Sequence, residues 1–229
     1  MATGMANGLL RLLQVTDSSF PVGGFAYSHG LESLAANERI GERELAGLVE
    51  AYVRQAGGGQ WMPAALAALR ARSLPALLRT DDALDASIAA AGEREAGRAM
   101  GERLLVAAQG AFGGERASAF LAAVRAGQAP GQYAVAYGCV AREADVEAAN
   151  TLAALGFAMA ASLIQAAVRL GLIGQAAATR LGASAERAIA ETVAAVLDRA
   201  PGPRFGAFTP RFDVAGALHP TLPFRMFAS

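Results

Sequence analysis

The stretch Asp17–Glu32 holds the residue types that could do chemistry. It reads DSSFPVGGFAYSHGLE and places His29 beside Ser28 and downstream of Asp17. Serine, histidine and a carboxylate are the parts of a nucleophilic triad. However, a serine next to its histidine along one helix points in a different direction, and the chain has no G-x-S-x-G turn. The sequence therefore predicts no catalytic residue here and favours a contact surface built on a glycine turn.

Soft or borderline metal ligands are few. Cys139 is the single cysteine, and His29 and His219 are the two histidines. Such a cysteine is typical of a small buried residue, and such histidines are more often hydrogen-bonded than metal-ligating. We therefore predict no metal ligand and no permanently bound cofactor. The chain also has no lysine and no G-x-x-x-x-G-K-[ST] loop, so any GTP-linked role must act through a partner.

The composition of the chain predicts a helical protein. It has 229 residues, of which 54% are hydrophobic, and twenty acidic residues balance twenty arginines. Zero net charge argues against non-specific binding of nucleic acid or an anionic membrane. We predict an all-α, single-domain bundle of roughly eight to ten helices over residues 1–229, with a helical body (1–200) and a C-terminal tail (201–229).

Hydrophobic periodicity and Gly/Pro punctuation place the helices. Breaks are expected at the GGG of Gly57–Gly59, at Pro75, at AFGGE and at APGQ. The most apolar window, Thr151–Leu170, approaches the length of a membrane span, but its alanine content and Arg169 favour a buried central helix. The N-terminus does not resemble a secretory signal, which predicts a cytoplasmic protein. The predicted helices are Leu9–Val15, Tyr27–Asn37, Arg43–Gln55, Met62–Arg72, Asp82–Gly110, Gly114–Ala126, Tyr133–Glu143, Val146–Leu170 and Ser184–Arg199.

A helix starting near Phe25 would have two faces. Its core stripe would hold Tyr27, Leu31, Leu34 and Ala35. Its opposite face would hold Phe25, His29 and Glu32. We interpret that outward face as a surface that something else covers.

The C-terminal tail is rich in proline and phenylalanine. Residues 201–229 hold five of the nine prolines and five of the ten phenylalanines. Such a segment cannot continue a helix, yet it is too aromatic for a solvated end. Its phenylalanines must therefore be buried, either against the helical body or against a partner protein. The phenylalanines are Phe205, Phe208, Phe212, Phe224 and Phe227.

The opening stretch resembles the signature of the urease accessory protein UreF family. The family pattern is D-S-x-x-P-[IV]-G-x-[FY]-x-x-S-x-G-L-E, and it follows the first helix. The tail HPTLPFRMFAS is similar to the family's closing H-x-x-L-x-x-R-x-[FY]-x-S through His219, Leu222, Arg225, Phe227 and Ser229. The residues that match the opening pattern are Asp17, Ser18, Pro21, Val22, Gly23, Phe25, Ser28, Gly30, Leu31 and Glu32.

Two internal segments carry the resemblance further. EREAGRAMGERLL resembles a family helix, and RLGLIGQ resembles the family's R-L-x-P-L-G-Q turn through Arg169, Leu170, Gly174 and Gln175. Leu172 stands where the family usually has proline. Gln132 stands where a histidine commonly occurs, which removes one candidate metal ligand.

The resemblance implies an all-helical, non-enzymatic chaperone. Such a protein binds the UreD (UreH) accessory protein, recruits the GTPase UreG, and takes part in delivering nickel to apo-urease. The family is also associated with dimerisation, so a homodimer is expected.

The residues suggest how a partner surface could form. We expect the face of Phe25, His29 and Glu32 to dock with the tail, and Arg225 to donate hydrogen bonds to carboxylate or backbone oxygen. The predicted partner-binding residues are these four with His219, Phe227 and Ser229.

Two other interpretations remain open at this point. The glycine pair could let a small molecule or cofactor approach the backbone near a helix N-terminus. Alternatively, the chain could be a homomeric scaffold with no connection to urease.

Overall fold

The prediction of an all-α fold is confirmed. The computed structural model describes residues 2–199 and 204–228, and no strand occurs in those residues. Counting α3 and α4 with the π-helical segment that joins them as one rod, the described residues form ten rods. The helices are α1 Ala2–Thr16, α2 Leu31–Asn37, α3 Glu42–Ala51, a π-helical segment Tyr52–Trp61, α4 Met62–Arg70, α5 Leu74–Ser87, α6 Ala91–Phe112, α7 Glu115–Arg125, α8 Tyr133–Glu143, α9 Ala148–Arg169, α10 Gln175–Asp198 and α11 Pro210–Leu218.

The breaks on either side of α5 have different origins. The region predicted as one helix, Asp82–Gly110, is split between α5 and α6 because Ile88 and Ala90 adopt extended backbone angles. The break predicted at Pro75 occurs just before it, at residues 71–73, and Pro75 itself lies in the first turn of α5, where its missing N–H has no intrahelical role.

The predicted break at Gly57–Gly59 is wrong. These glycines lie inside the π-helical segment Tyr52–Trp61, which runs without interruption from α3 into α4. Gly57 and Gly58 are buried there. Tertiary packing therefore outweighs the low helix propensity of glycine at these positions.

The core is centred on α8 and α9. Every residue of α8 from Tyr133 to Ala141 is buried, including Cys139, and α8 packs between α4 and α6. Burial raises the pKa of the Cys139 thiol to about 12, as expected for a small buried residue. In contrast, α9 packs along α10 and the π-helical segment. It is long and apolar enough to cross a membrane, but 56% of its most apolar window is buried in the bundle, which is typical of a core helix.

A buried carboxylate fixes the segment that leads into α8. Asp81 on α5 is fully buried and accepts hydrogen bonds from the backbone N–H groups of Gly131 (2.6 Å) and Gln132 (2.8 Å). Gln132 in turn donates to Asp85 Oδ1 (2.8 Å) and to the carbonyl of Arg94 (3.0 Å). Burial raises the pKa of Asp81 to about 7, although the two backbone hydrogen bonds lower it.

This raised pKa predicts that Asp81 makes folding pH-dependent. Between its ordinary value of 3.8 and about 7, the folded protein binds a proton that the unfolded chain lacks. The contribution of Asp81 to the free energy of unfolding therefore falls as pH rises through this range. Asp81→Asn removes this titration. In urea unfolding, the free energy of unfolding of the wild type minus that of the variant should therefore decrease from pH 5 to pH 8.

The matched control is Asp198→Asn, which changes an exposed carboxylate at the end of α10, away from Asp81. It should unfold with the same pH dependence as the wild type. A difference between Asp81→Asn and wild type that stays constant from pH 5 to pH 8 would contradict the prediction.

Candidate functional site

The opening stretch forms a tight turn after α1. Asp17 Oδ1 accepts a hydrogen bond from the backbone N–H of Ser19 (2.8 Å), and the hydrogen bonds with Ser19 lower the pKa of Asp17. Ser18 and Pro21 are exposed. Gly23 is left-handed and leads into one 3-10 turn, Gly24–Ala26. The segment between α1 and α2 therefore contains a turn and a single 3-10 turn, and no α-helix.

The predicted helix start near Phe25 is wrong. His29 (φ 54°) and Gly30 (φ 82°) are both left-handed, so α2 begins only at Leu31. Tyr27 and Leu34 are buried as the periodicity predicted, but His29 and Glu32 are also buried, at 7% exposure each, and do not share an outward face with Phe25. The side chains of His29 and Glu32 are therefore buried by segments distant in sequence, which are described below.

The C-terminal tail covers Glu32. The Glu32 carboxylate accepts three hydrogen bonds from it: from His219 Nε2 (2.8 Å), from the backbone N–H of Met226 (2.6 Å) and from that of Phe227 (3.2 Å). A further hydrogen bond joins the Ala228 N–H to the Ala26 carbonyl (2.8 Å). The carboxylate and the turn thus form a seat for the end of the tail, which we call the tail seat.

The donors in this seat differ from the expected one. The sequence predicts that Arg225 donates to carboxylate or backbone oxygen, but its side chain is exposed, and Glu32 is bonded by His219 and two backbone N–H groups. Backbone N–H groups bond the carboxylate because the segment 226–228 runs directly over the turn. Ser229, also predicted to bind a partner, lies outside the described residues.

The tail also contains a helix, contrary to the prediction. Pro210 starts α11 at a position where proline is tolerated. Phe212 on this helix is buried against Tyr52, with ring centroids 5.2 Å apart. Of the five tail phenylalanines, Phe212 and Phe227 are buried, Phe205 is half-buried, and Phe208 and Phe224 are exposed.

Two glycines allow the tail backbone to come close. A Cβ on Gly30 would meet the Phe212 carbonyl at 3.1 Å and the Ala215 Cβ at 3.2 Å. A Cβ on Gly59 would collide with the Gly206 carbonyl, and the N–H of Gly206 donates to the Gly59 carbonyl (3.0 Å). Sequence reasoning interpreted Gly59 as a helix break, whereas its role is to receive the tail.

His29 lies in a second buried cluster beneath α11. Its Nδ1 lies 3.0 Å from Glu93 Oε1, and its Nε2 lies 3.2 Å from Ser162 Oγ. Tyr52 also donates to Glu93 (3.3 Å), and the rings of His29 and Tyr52 are 5.4 Å apart. Sequence analysis did not connect Glu93 or Ser162 with His29, because they come from α6 and α9, far from the opening stretch.

The order serine, histidine, carboxylate in this cluster resembles a triad, but its surroundings favour a positioning role. Ser162 lies in the middle of α9 and does not line the adjacent cavity of about 40 Å³, whose walls include His29, Tyr52, Trp61 and Glu93. Burial alone would raise the pKa of Glu93, but His29 and Tyr52 lower it. Burial and the charge of Glu93 raise the pKa of Tyr52 well above its ordinary value.

The remaining predicted structural residues lie close to the turn or at the start of α10. Ser28 Oγ accepts a hydrogen bond from the Glu32 N–H (3.4 Å). Gly174 precedes α10, where its carbonyl accepts from the Ala178 N–H, and Gln175 is the exposed first residue of that helix. Arg169 ends α9 and contacts the tail.

The seat predicts that Glu32 controls attachment of the tail. Glu32→Gln replaces one acceptor oxygen by an N–H₂ donor that faces other donors. Hydrogen bonds to a charged group contribute roughly 1.5–3 kcal/mol each. We therefore expect the Met226 and Phe227 amides to exchange with deuterium at least tenfold faster in this variant.

The control is Glu186→Gln, which changes an exposed carboxylate on α10 and should leave tail exchange unchanged. Equal protection of Met226 and Phe227 in Glu32→Gln and wild type would show that the carboxylate does not hold the tail.

The chain is similar to known proteins along its whole length. The family model UreF matches residues 41–186. The urease accessory protein UreF of Paenarthrobacter aurescens (strain TC1) is 34% identical over 225 residues, covering 96% of this chain and 97% of that protein. The urease accessory protein UreF of Jannaschia sp. (strain CCS1) is 32% identical, covering 98% and 96%. That of Lachnoclostridium phytofermentans is 27% identical, covering 98% and 100%.

The matched region covers more than half of the chain and includes α3 to α9. The opening turn and the tail lie outside the region that the family model matches. The chain therefore belongs to the UreF family of urease accessory proteins.

Proposed function

We propose that this protein is a cytoplasmic, non-catalytic chaperone for urease maturation. It binds a UreD/UreH-type accessory protein and, together with it, recruits the GTPase UreG so that nickel reaches apo-urease. Nickel is the transferred cargo, and no residue of this chain is assigned to hold it. The observation that carries the proposal is an apolar surface exposed around the seated tail.

This docking surface consists of Phe25, Phe224, Arg225 and Met226. Phe224 is 90% exposed, Phe25 is 72% exposed and Met226 is 64% exposed. Large apolar side chains with an arginine among them are typical of protein-binding sites. The seat holds the backbone of residues 226–228 against the turn, and this brings the tail side of the docking surface close to Phe25.

A homodimer is part of the proposal, and α9 offers a surface for it. Phe157 on this helix is 55% exposed and is surrounded by exposed or half-buried alanines at positions 153, 154, 158 and 161. Small residues around one aromatic side chain allow a second helix to approach closely. A second copy of the chain, presenting the same face, would cover Phe157 in both.

The alternative of a small-molecule or cofactor protein has less support. The cavity beside His29 has a volume of about 40 Å³, room for about one water molecule. A second cavity, between α1, α6 and α8, has a volume of about 210 Å³. Pockets for organic ligands usually measure about 300–1,000 Å³.

Co-expression with the UreD-type protein of the same organism tests the proposal. Size-exclusion chromatography with light scattering should show a stoichiometric complex, to which the UreG-type GTPase then adds. Two separate peaks of folded proteins would remove the central interaction of the proposal.

Arg225→Ala should weaken this complex at least tenfold, because it removes the one cation among the four residues of the docking surface. Helical content by circular dichroism should not change, since the Arg225 side chain is exposed. Arg72→Ala, at an exposed arginine between α4 and α5, is the control and should bind as the wild type does. Equal binding by both variants would exclude Arg225 from the interface.

Phe157→Arg should convert the isolated protein from a dimer to a monomer in light scattering. The charge would be buried in the interface of the dimer but solvated in the monomer. Arg72→Ala, at an exposed arginine between α4 and α5, should leave the mass unchanged. A dimer that survives Phe157→Arg would place the interface elsewhere.

A further inference from the structure

Arg169, the last residue of α9, touches both segments that carry the docking surface. Its Nη1 donates a hydrogen bond to the carbonyl of Phe25, in the turn. Its guanidinium carbon lies 4.4 Å from the centre of the Phe227 ring, in the tail. Turn and tail are about two hundred residues apart in sequence, and this one planar cation bridges them.

The guanidinium is itself held in place. Arg169 Nε donates to the carbonyl of Gln165, one turn earlier on α9 (3.3 Å). The side chain therefore has its Nε engaged by its own helix, one Nη directed at the turn and one planar face against an aromatic ring. Only a guanidinium offers a flat face and several fixed donors at once, and a lysine would supply a point charge instead.

The exposed side chains that would meet a partner are neighbours of these two contacts. Phe25 supplies the bonded carbonyl, and Phe224, Arg225 and Met226 immediately precede the stacked Phe227. The hydrogen bond between Ala228 and Ala26 lies beside the same junction. The position of the turn side chain relative to the tail side chains is thus set at Arg169.

We propose that Arg169 is a positioning residue that clamps the turn and the tail together and so aligns the two parts of the docking surface. The clamp itself is a property of the isolated chain. Its effect on partner binding rests on the proposed function.

Arg169 is suited to this role because it lies outside the core. Its side chain is exposed, whereas Phe227, on which it stacks, is 5% exposed. Glu32 holds the backbone of Met226 and Phe227 through separate bonds, so the tail keeps one attachment when the clamp is removed. Loss of Arg169 should therefore loosen the tail without unfolding the bundle.

The first test uses the isolated full chain. In Arg169→Ala the amide of Ala228 should exchange with deuterium at least tenfold faster than in wild type. The thermal midpoint should move by no more than about 2 °C, as is usual for a surface change. Arg169→Lys should recover less than half of the lost protection, and Gln165→Ala, which keeps the backbone carbonyl that Arg169 uses, should behave as wild type.

The second test uses the complex with the UreD-type protein. Arg169→Ala should weaken binding at least tenfold, and Arg169→Lys should weaken it by an intermediate factor. Unchanged exchange at Ala228 in Arg169→Ala would overturn the clamp, whatever the partner does. Faster exchange together with unchanged partner binding would support the clamp but count against the proposed function of the surface.

Discussion

One buried carboxylate organises the surface of this protein. Glu32 accepts hydrogen bonds from His219 and from two consecutive backbone N–H groups of the tail, one of them 195 residues away in sequence. Closing so long a segment costs conformational entropy, and a free tail has many alternatives. Charge-assisted bonds in a site from which water is excluded offset that cost, as does the burial of Phe212 and Phe227. Everything proposed for partner binding requires that the tail be seated first.

The backbone of the turn makes this seat possible. The left-handed pair His29 and Gly30 ends the turn abruptly, so that Glu32 enters α2 close to the tail and not on an outward face. Holding a histidine in that conformation is unfavourable, and the hydrogen bonds of His29 to Glu93 and Ser162 counteract the strain. The seat is therefore supported from below by α6 and α9, which belong to the core of the bundle.

The helical bundle was largely predictable, because apolar periodicity reports which face of a helix meets its neighbours. It assigned the bounds of α8 as observed and placed Tyr27, Leu31 and Leu34 in the core. It could not assign the burial of His29 and Glu32, because His29 contacts α6, α9 and the π-helical segment, and Glu32 contacts the tail. None of these elements has a periodic relation to the turn. The residues of the two terminal motifs were identifiable, but not the bonds between Glu32 and the amides of residues 226 and 227. The prediction of a helix break failed at Gly57–Gly59, because the low helix propensity of glycine indicates a break, whereas tertiary packing stabilises a helix there.

The π-helical segment has a consequence for which sequences this fold can accept. Tyr52 at its start faces His29 and Phe212, Trp61 at its end faces Tyr133, and Gly59 between them meets the tail. An inserted or deleted residue would rotate all later side chains of the rod by one residue's share of a helical turn. The aromatic contacts at the two ends would then no longer fit together. A glycine-rich segment that suggests a tolerant linker is thus fixed in length, and natural variation there should take the form of substitution.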